Sequence, residues 1–230
     1  LAAAHARAEY DRFGALLAGL SPAEWALPTV CPSWDVRLLA AHVLGATEAN
    51  ASPPELLRQL RHGRRGLAVD VDPVSAVQVD RRRHLTPDAL LARYRAAVPA
   101  AVSWRFHWVR RLGALPIRVG VPVHETWRLG YLMRTIYTRD VWLHRDDLSR
   151  ATGRAVALTA EHDGRIVADV VADWARRHGR PFRLVLHGPA GGEFGSGTAG
   201  PQFALDAVEF CRVLSGRGIG TAPFATRAPF

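Results

Sequence analysis

Asp140 and His144 lie one helical turn apart in the segment TRDVWLHRDD, six of whose ten side chains are charged or imidazole. At about 100° per residue they share a stripe with Met133, Ile136, Tyr137 and Leu148. Such a stripe has to be buried, and a bare carboxylate among apolar neighbours is costly unless it is paired or bound to a cation. Residues four apart bring their Cβ atoms within about 5–6 Å, close enough to pair with each other or to grip one metal ion. On the same reckoning Arg128, Thr135, Arg139, Trp142 and Asp146 point away from the stripe.

The neighbouring segments are also helical. Residues 2–19 are Ala-rich and amphipathic, and SPAE at 21–24 is a capping box. A helix starts near Ser33 with Asp35 in its first turn. Thr86 and Pro87 open another, which Pro99 should kink or end. Residues 61–85 carry Arg, Asp and Val without clear period and predict a crossover loop. GALPIRVGVPV predicts an extended or irregular stretch, and His124–Arg150 a long helix stopped by Thr152 and Gly153. Beyond residue 155 the character changes: an amphipathic helix, a strand at PFRLVLHG, a Gly-rich loop, and a helix at PQFALDAVEFCRVLSG. The expected architecture is a mostly helical domain over 1–154 and a small α+β domain over 155–230.

His42 projects with Leu38, Leu39, Ala46 and Ala49, while Gly45 one turn later leaves room for a neighbouring helix or ligand. His42, Asp140 and His144 together make two imidazoles and one carboxylate facing the middle of a bundle. Three protein ligands with a vacant fourth position are how catalytic zinc is held, and the set also suits iron or nickel. The same residues admit a plainer reading, in which His42 is a hydrogen-bonded core residue and Asp140 pairs with His144 or with an arginine. Asp147 either orients the His144 ring or satisfies a helix end. His107 and His124 are competing ligand candidates.

The net charge of +9 rests on thirty basic residues, all of them Arg. Arginine clusters hold phosphates or carboxylates, or form a solvated surface. No apolar run reaches the roughly 18–20 residues of a membrane span, and the first twenty residues do not read as a secretion signal. Two cysteines far apart, Cys31 and Cys211, argue against a disulfide scaffold and read as buried small hydrophobes without a nearby base. A cytoplasmic protein is expected. GSGTAG at 195–200 matches a dinucleotide-binding pattern and opens a helix, but no strand immediately precedes it; a tight turn is the better reading. WRFHWVRR at 104–111 interleaves aromatics and charge, yet Trp104 and Trp108 lie one turn apart and read as packing. The chain shows no nucleic-acid motif.

Three separated segments, EWALPTVCPSWDVRLLAAHVLGA, TRDVWLHRDDL and LDAVEFCRVLSGR, together resemble the mycothiol-dependent maleylpyruvate isomerase family, within the DinB-like metal-binding bundles. The resemblance runs in order through nearly the whole chain. It implies a four-helix bundle holding a divalent metal, typically zinc, followed by a small α/β domain. It also implies His42, Asp140 and His144 as ligands and mycothiol as cosubstrate. The family's isomerase has Glu at the acidic position where this chain has Asp140. Arg217 matches an arginine that the family places near its active site, and Arg212 lies close by in sequence; either suits a substrate carboxylate or a developing enolate, or equally a salt bridge across the domain interface. A thiol with pKa near 8.5 is mostly protonated at neutral pH, and coordination to a cation deprotonates it. The expected activity is a transferase or isomerase acting on a small electrophile. The alternative is a non-catalytic, metal-stabilised bundle that binds a small ligand or a protein partner.

Overall fold

The structure, a computed structural model, describes residues 2–65, 68–69, 71–121, 124–220 and 222–230. Contacts divide the chain into two compact units, Leu1–Arg154 and Ala155–Phe230. The first is mostly helical, the second a small mixed α+β layer.

Four helices form the bundle: α1 (Ala2–Ala18), α2 (Val36–Ala51), α5 (Pro87–Leu112) and α7 (Tyr137–Thr152). They pack in a ring, α2 on α5, α5 on α1, α1 on α7 and α7 on α2. Local chemistry sets their starts. Asp35 caps α2, its Oδ1 accepting from Leu38 N–H at 2.7 Å, and Thr86 caps α5 through Ala89 N–H at 3.3 Å. Ser21 N–H donates to Glu24 at 2.7 Å, the capping box expected there, before a short 3₁₀ turn at Glu24–Ala26. Gly153, at φ 70°, ends α7. The apolar faces meet in one core containing Phe13, Leu17, Leu39, Leu44, Tyr94 and Leu148.

Several expectations are corrected. Pro99 does not end α5, which runs on to Leu112. It lies on the exposed face, while Val98, Ala101 and Val102 on the other face are buried and hold the helix across the lost hydrogen bond. The 61–85 stretch is largely regular, although residues 66, 67 and 70 of it lie outside the described residues. Helix α3 (Pro53–Gly63) runs into it, β1 (Arg64–Arg65) and β2 (Ala68–Val69) pair antiparallel, and α4 (Val71–Asp80) packs on α2 and α3. The expected extended stretch yields β3 (Pro116–Val119); its Pro122 and Val123 lie outside the described residues. The long helix expected from His124 begins later, because β4 (Glu125–Arg128) pairs antiparallel with β3. One turn of α6 (Leu129–Tyr131) and a π-helical stretch, Leu132–Ile136, then lead into α7.

In the second unit, β5 (Phe182–His187) is flanked by antiparallel β6 (Gly192–Ser196) and parallel β7 (Gln202–Asp206). Helices α8 (Asp163–His178) and α9 (Ala207–Ser215) pack on them around the buried Trp174. GSGTAG joins β6 to β7, so a strand follows it rather than the helix expected, and the predicted last helix starts only at Ala207. Among the described residues no helix is long and apolar enough to cross a membrane.

At the C-terminal end of α2 a charged network ties α3 and the turn after α4 to α2 and α5. Arg82 pairs with Glu48 and with Glu55, Arg93 with Glu48, and Arg58 with Glu55. Burial would raise the Glu55 pKa, but donors from Arg58, Gln59 and Arg82 outweigh it and hold the carboxyl at about 2. Since that lies below the unfolded value, Glu55 stabilises the fold above about pH 4.5, and the contribution disappears as pH falls towards 2. Chemical denaturation of Glu55→Gln against wild type should therefore show a difference on the order of 2 kcal/mol at pH 6 that shrinks across this window.

Candidate metal centre

His42 stands midway along α2, and Asp140 and His144 project from α7 towards it. Asp140 Oδ1 is 3.4 Å from His144 Nε2, and Asp140 Oδ2 is 3.8 Å from His42 Nε2. The two rings meet edge to face with centroids 5.0 Å apart. One ligand atom from each of the three residues lies within 4.8 Å of the others. Both imidazoles are buried, whereas the Asp140 side chain keeps 23 % exposure, so the cluster opens to solvent on the carboxylate side.

The α7 residues are held in register from α1. Glu9 and Arg145, both buried, make a two-pronged pair, Nε to Oε1 at 2.7 Å and NH2 to Oε2 at 3.1 Å, next in sequence to His144. Arg105, fully buried on α5, donates to Tyr10 OH and to Thr138 Oγ1, each at 2.9 Å. Nearly all of α7 is enclosed, which corrects the one-stripe reading: Arg139 and Trp142 are buried rather than turned outward.

The electrostatics separate the two histidines. Burial disfavours the charged form of His144, but Asp140, assisted by Asp147, overrides it and pushes the pKa up to about 9. For His42 burial prevails over Asp140 and lowers the pKa. The Asp140 carboxyl would be raised by burial, yet His144 and His42 hold it far below the ordinary carboxylate range. His144 Nδ1–H donates to Asp147 Oδ2 at 3.1 Å, with Asp147 buried. That bond turns Nε2 towards Asp140 and His42.

These donors suit a small divalent cation. Tetrahedral zinc with bonds of about 2.0–2.1 Å needs donors roughly 3.3 Å apart, and the two carboxylate–imidazole separations, 3.4 and 3.8 Å, lie within a few tenths of an ångström of that. Two nitrogens and one carboxylate oxygen are borderline to hard donors, appropriate to zinc, iron or nickel.

Other residues frame the cluster in ways the spacing did not reveal. In the turn before α2, Thr29 Oγ1 donates to Trp34 C=O at 2.7 Å and accepts from Cys31 N–H at 3.1 Å. This turn lays the Trp34 ring on His42, centroids 4.9 Å apart. It also brings Cys31, half-buried, into a group with His144 and Asp147 whose ligand atoms lie within 4.8 Å of one another. Cys31 thus has an imidazole and a carboxylate close by in space, a correction to the reading of an isolated cysteine. Cys211 is buried. His107 pairs with Arg111 along α5, and His124 sits at φ 53° before β4; neither is grouped with the three donors. Arg212 and Arg217 belong to the second unit, Arg212 on α9 with Nε 3.8 Å from Glu209 and its carbonyl accepting from Arg217 N–H at 2.8 Å.

Fold and cluster together define a class: a four-helix bundle with a His–Asp–His set at its centre, joined in sequence to a small α+β unit. Within that class the chain belongs to the family of the mycothiol maleylpyruvate isomerase N-terminal domain, whose model matches residues 6–149. It is similar to the mycobacterial proteins named Uncharacterized protein Rv0738 (Mycobacterium tuberculosis strain ATCC 25618 / H37Rv) and Uncharacterized protein MT0763 (strain CDC 1551 / Oshkosh). Each is 29 % identical over 158 residues, 69 % of this chain and 70 % of the relative. Crystal structures of the mycothiol-dependent maleylpyruvate isomerase and of a single-substitution mutant superpose with a TM-score of 0.62. The identities are 18 % and 16 %, over 94 % of this chain and 88 % of each solved chain. At that identity the likeness establishes the fold.

Proposed function

We propose that this protein is a divalent-metal-dependent enzyme that uses mycothiol against a small electrophile, with His42, Asp140 and His144 holding the metal, zinc first among the candidates. The observation that carries the reading is the convergence of both Nε2 atoms on the Asp140 carboxylate in a cluster open on one side. Family membership supports the thiol. When bound, the metal supplies Lewis acidity, which lowers the pKa of a coordinating thiol below neutrality.

The chain's own residues do the rest. Asp147 retains the Nδ1 proton of His144 and so keeps Nε2 available as a donor. Trp34 covers the His42 ring and limits water on that side. Asp140 balances charge at the centre and leaves one face clear for sulfur. Addition of the thiol to a conjugated double bond, rotation and release would make an isomerase; displacement of a leaving group would make a transferase.

The test is to load purified protein with zinc and follow mycothiol with maleylpyruvate and with a panel of other electrophiles. Zinc-dependent turnover is expected, with free thiol regenerated in isomerisation and consumed in transfer. One zinc per chain without turnover on any electrophile would overturn the enzymatic reading in favour of a metal-stabilised binding module. The same assay on Arg217→Ala and Arg212→Ala reads whether either guanidinium acts on the substrate.

A further inference from the structure

Gly45 lies one turn after His42 on α2, and a Cβ there would meet Gln78 Cβ at 2.5 Å and Cγ at 2.8 Å. The absent side chain admits α4 rather than a ligand and brings the buried Gln78 close to the His42 turn of α2. What fixes the direction of its carboxamide is a second buried amide. Gln59 Nε2 donates to Gly45 C=O at 2.9 Å and to Glu55 Oε1 at 2.7 Å. Neither of those oxygens can donate, so Gln59 cannot turn over, and its Oε1 is left to accept from Gln78 Nε2 at 2.7 Å. Gln78 is then committed as well: its Oε1 faces away from Gln59.

Gln78 Oε1 and His42 Nδ1 are both buried, and neither makes a hydrogen bond among the described residues. One accepts, and the other can carry a proton. On its far side His42 Nε2 stands 3.8 Å from Asp140 Oδ2, longer than a hydrogen bond.

We propose that Gln78 is a positioning residue for His42: its Oε1 takes the Nδ1 proton, which leaves the Nε2 lone pair facing Asp140 and His144. The polarity originates in the Gly45 carbonyl and the Glu55 carboxylate and is relayed through Gln59 and Gln78. His144 is oriented by a carboxylate, Asp147, and His42 by an amide; a neutral acceptor leaves no second negative charge beside the cluster. The inference rests on the metal-ligand reading of His42 for its purpose, but not for its geometry.

Two measurements on wild type and Gln78→Leu test it: zinc affinity, and the ¹⁵N shifts of the His42 ring in metal-free protein. In wild type the ring proton should reside on Nδ1. In Gln78→Leu it should distribute over both nitrogens, and the zinc Kd should rise about 10–100-fold, as for loss of other partners that orient ligands. Gln78→Met, unbranched and of similar length, carries the test should the leucine variant not fold. A ring proton that stays on Nδ1 in the variant, or an unchanged zinc Kd, overturns the assignment. Wild type that binds no zinc instead removes the metal reading, and the tautomer comparison still decides the role of Gln78.

Discussion

His144→Ala is expected to raise the zinc Kd about 10²–10³-fold and to reduce thiol-dependent turnover to background while the helical content survives. A zinc-binding free energy of order 10–16 kcal/mol for four ligands corresponds to a few kcal/mol for each one lost. The change also removes the partner that most strongly holds Asp140 ionised, leaving the carboxylate beside a neutral His42. Proton linkage adds a signature. In the metal-free protein His144 is protonated up to about pH 9, so zinc must displace that proton. Zinc affinity should rise with pH by up to about tenfold per unit below 9, and calorimetry in buffers of different ionisation enthalpy should detect the released proton. In His144→Ala that proton release should vanish. Asp147→Asn, which keeps the shape but lowers the acceptor's charge, should cost less, about 10–100-fold in affinity.

The second large effect concerns stability. Glu9→Ala should destabilise the protein by about 3–5 kcal/mol, because Arg145 stays buried without its two-pronged carboxylate partner. That is a large share of the 5–15 kcal/mol typical of a folded domain. The double variant Glu9→Leu/Arg145→Met, with apolar groups on both sides, should recover most of the loss. Urea denaturation of wild type, Glu9→Ala and the double variant measures it. A single variant costing under about 1 kcal/mol would mean that the pair is solvated in solution. Since Arg145 follows His144 directly, the double variant also separates stability from function: with the register of α7 kept by packing, zinc affinity should stay within a few-fold of wild type.

What could be read from the sequence was what is encoded locally. Ser21 with Glu24, and Thr86 with Pro87, mark their helix starts within four residues of the groups they satisfy, whereas α2 is capped by Asp35 and does not start near Ser33 as expected. His42, Asp140 and His144 could be singled out because helical spacing places each among apolar neighbours. Non-local features escaped. Helix α4 carries Val71, Val74, Val77 and Val79 with little amphipathic period, and its place against α2 depends on the bare surface of Gly45. Strand β4 has the composition of a helix start and is drawn out by pairing with β3. Helical angle turns Arg139 and Trp142 away from the Asp140–His144 stripe, but angle says nothing of what packs on the opposite face, and α7 is enclosed almost all round. Cys31, Trp34 and Gln78 reach the cluster from a turn and a neighbouring helix, and no spacing along one element connects them to His42 or His144.

X-ray absorption at the zinc edge of loaded wild-type protein tests the central claim most directly. The account predicts a four-coordinate shell of nitrogen and oxygen at about 2.0–2.2 Å with the scattering pattern of two imidazoles, and one sulfur at about 2.3 Å appearing only when mycothiol is added. A shell without imidazole scattering, or one that already contains sulfur from Cys31 before the thiol is present, would contradict it.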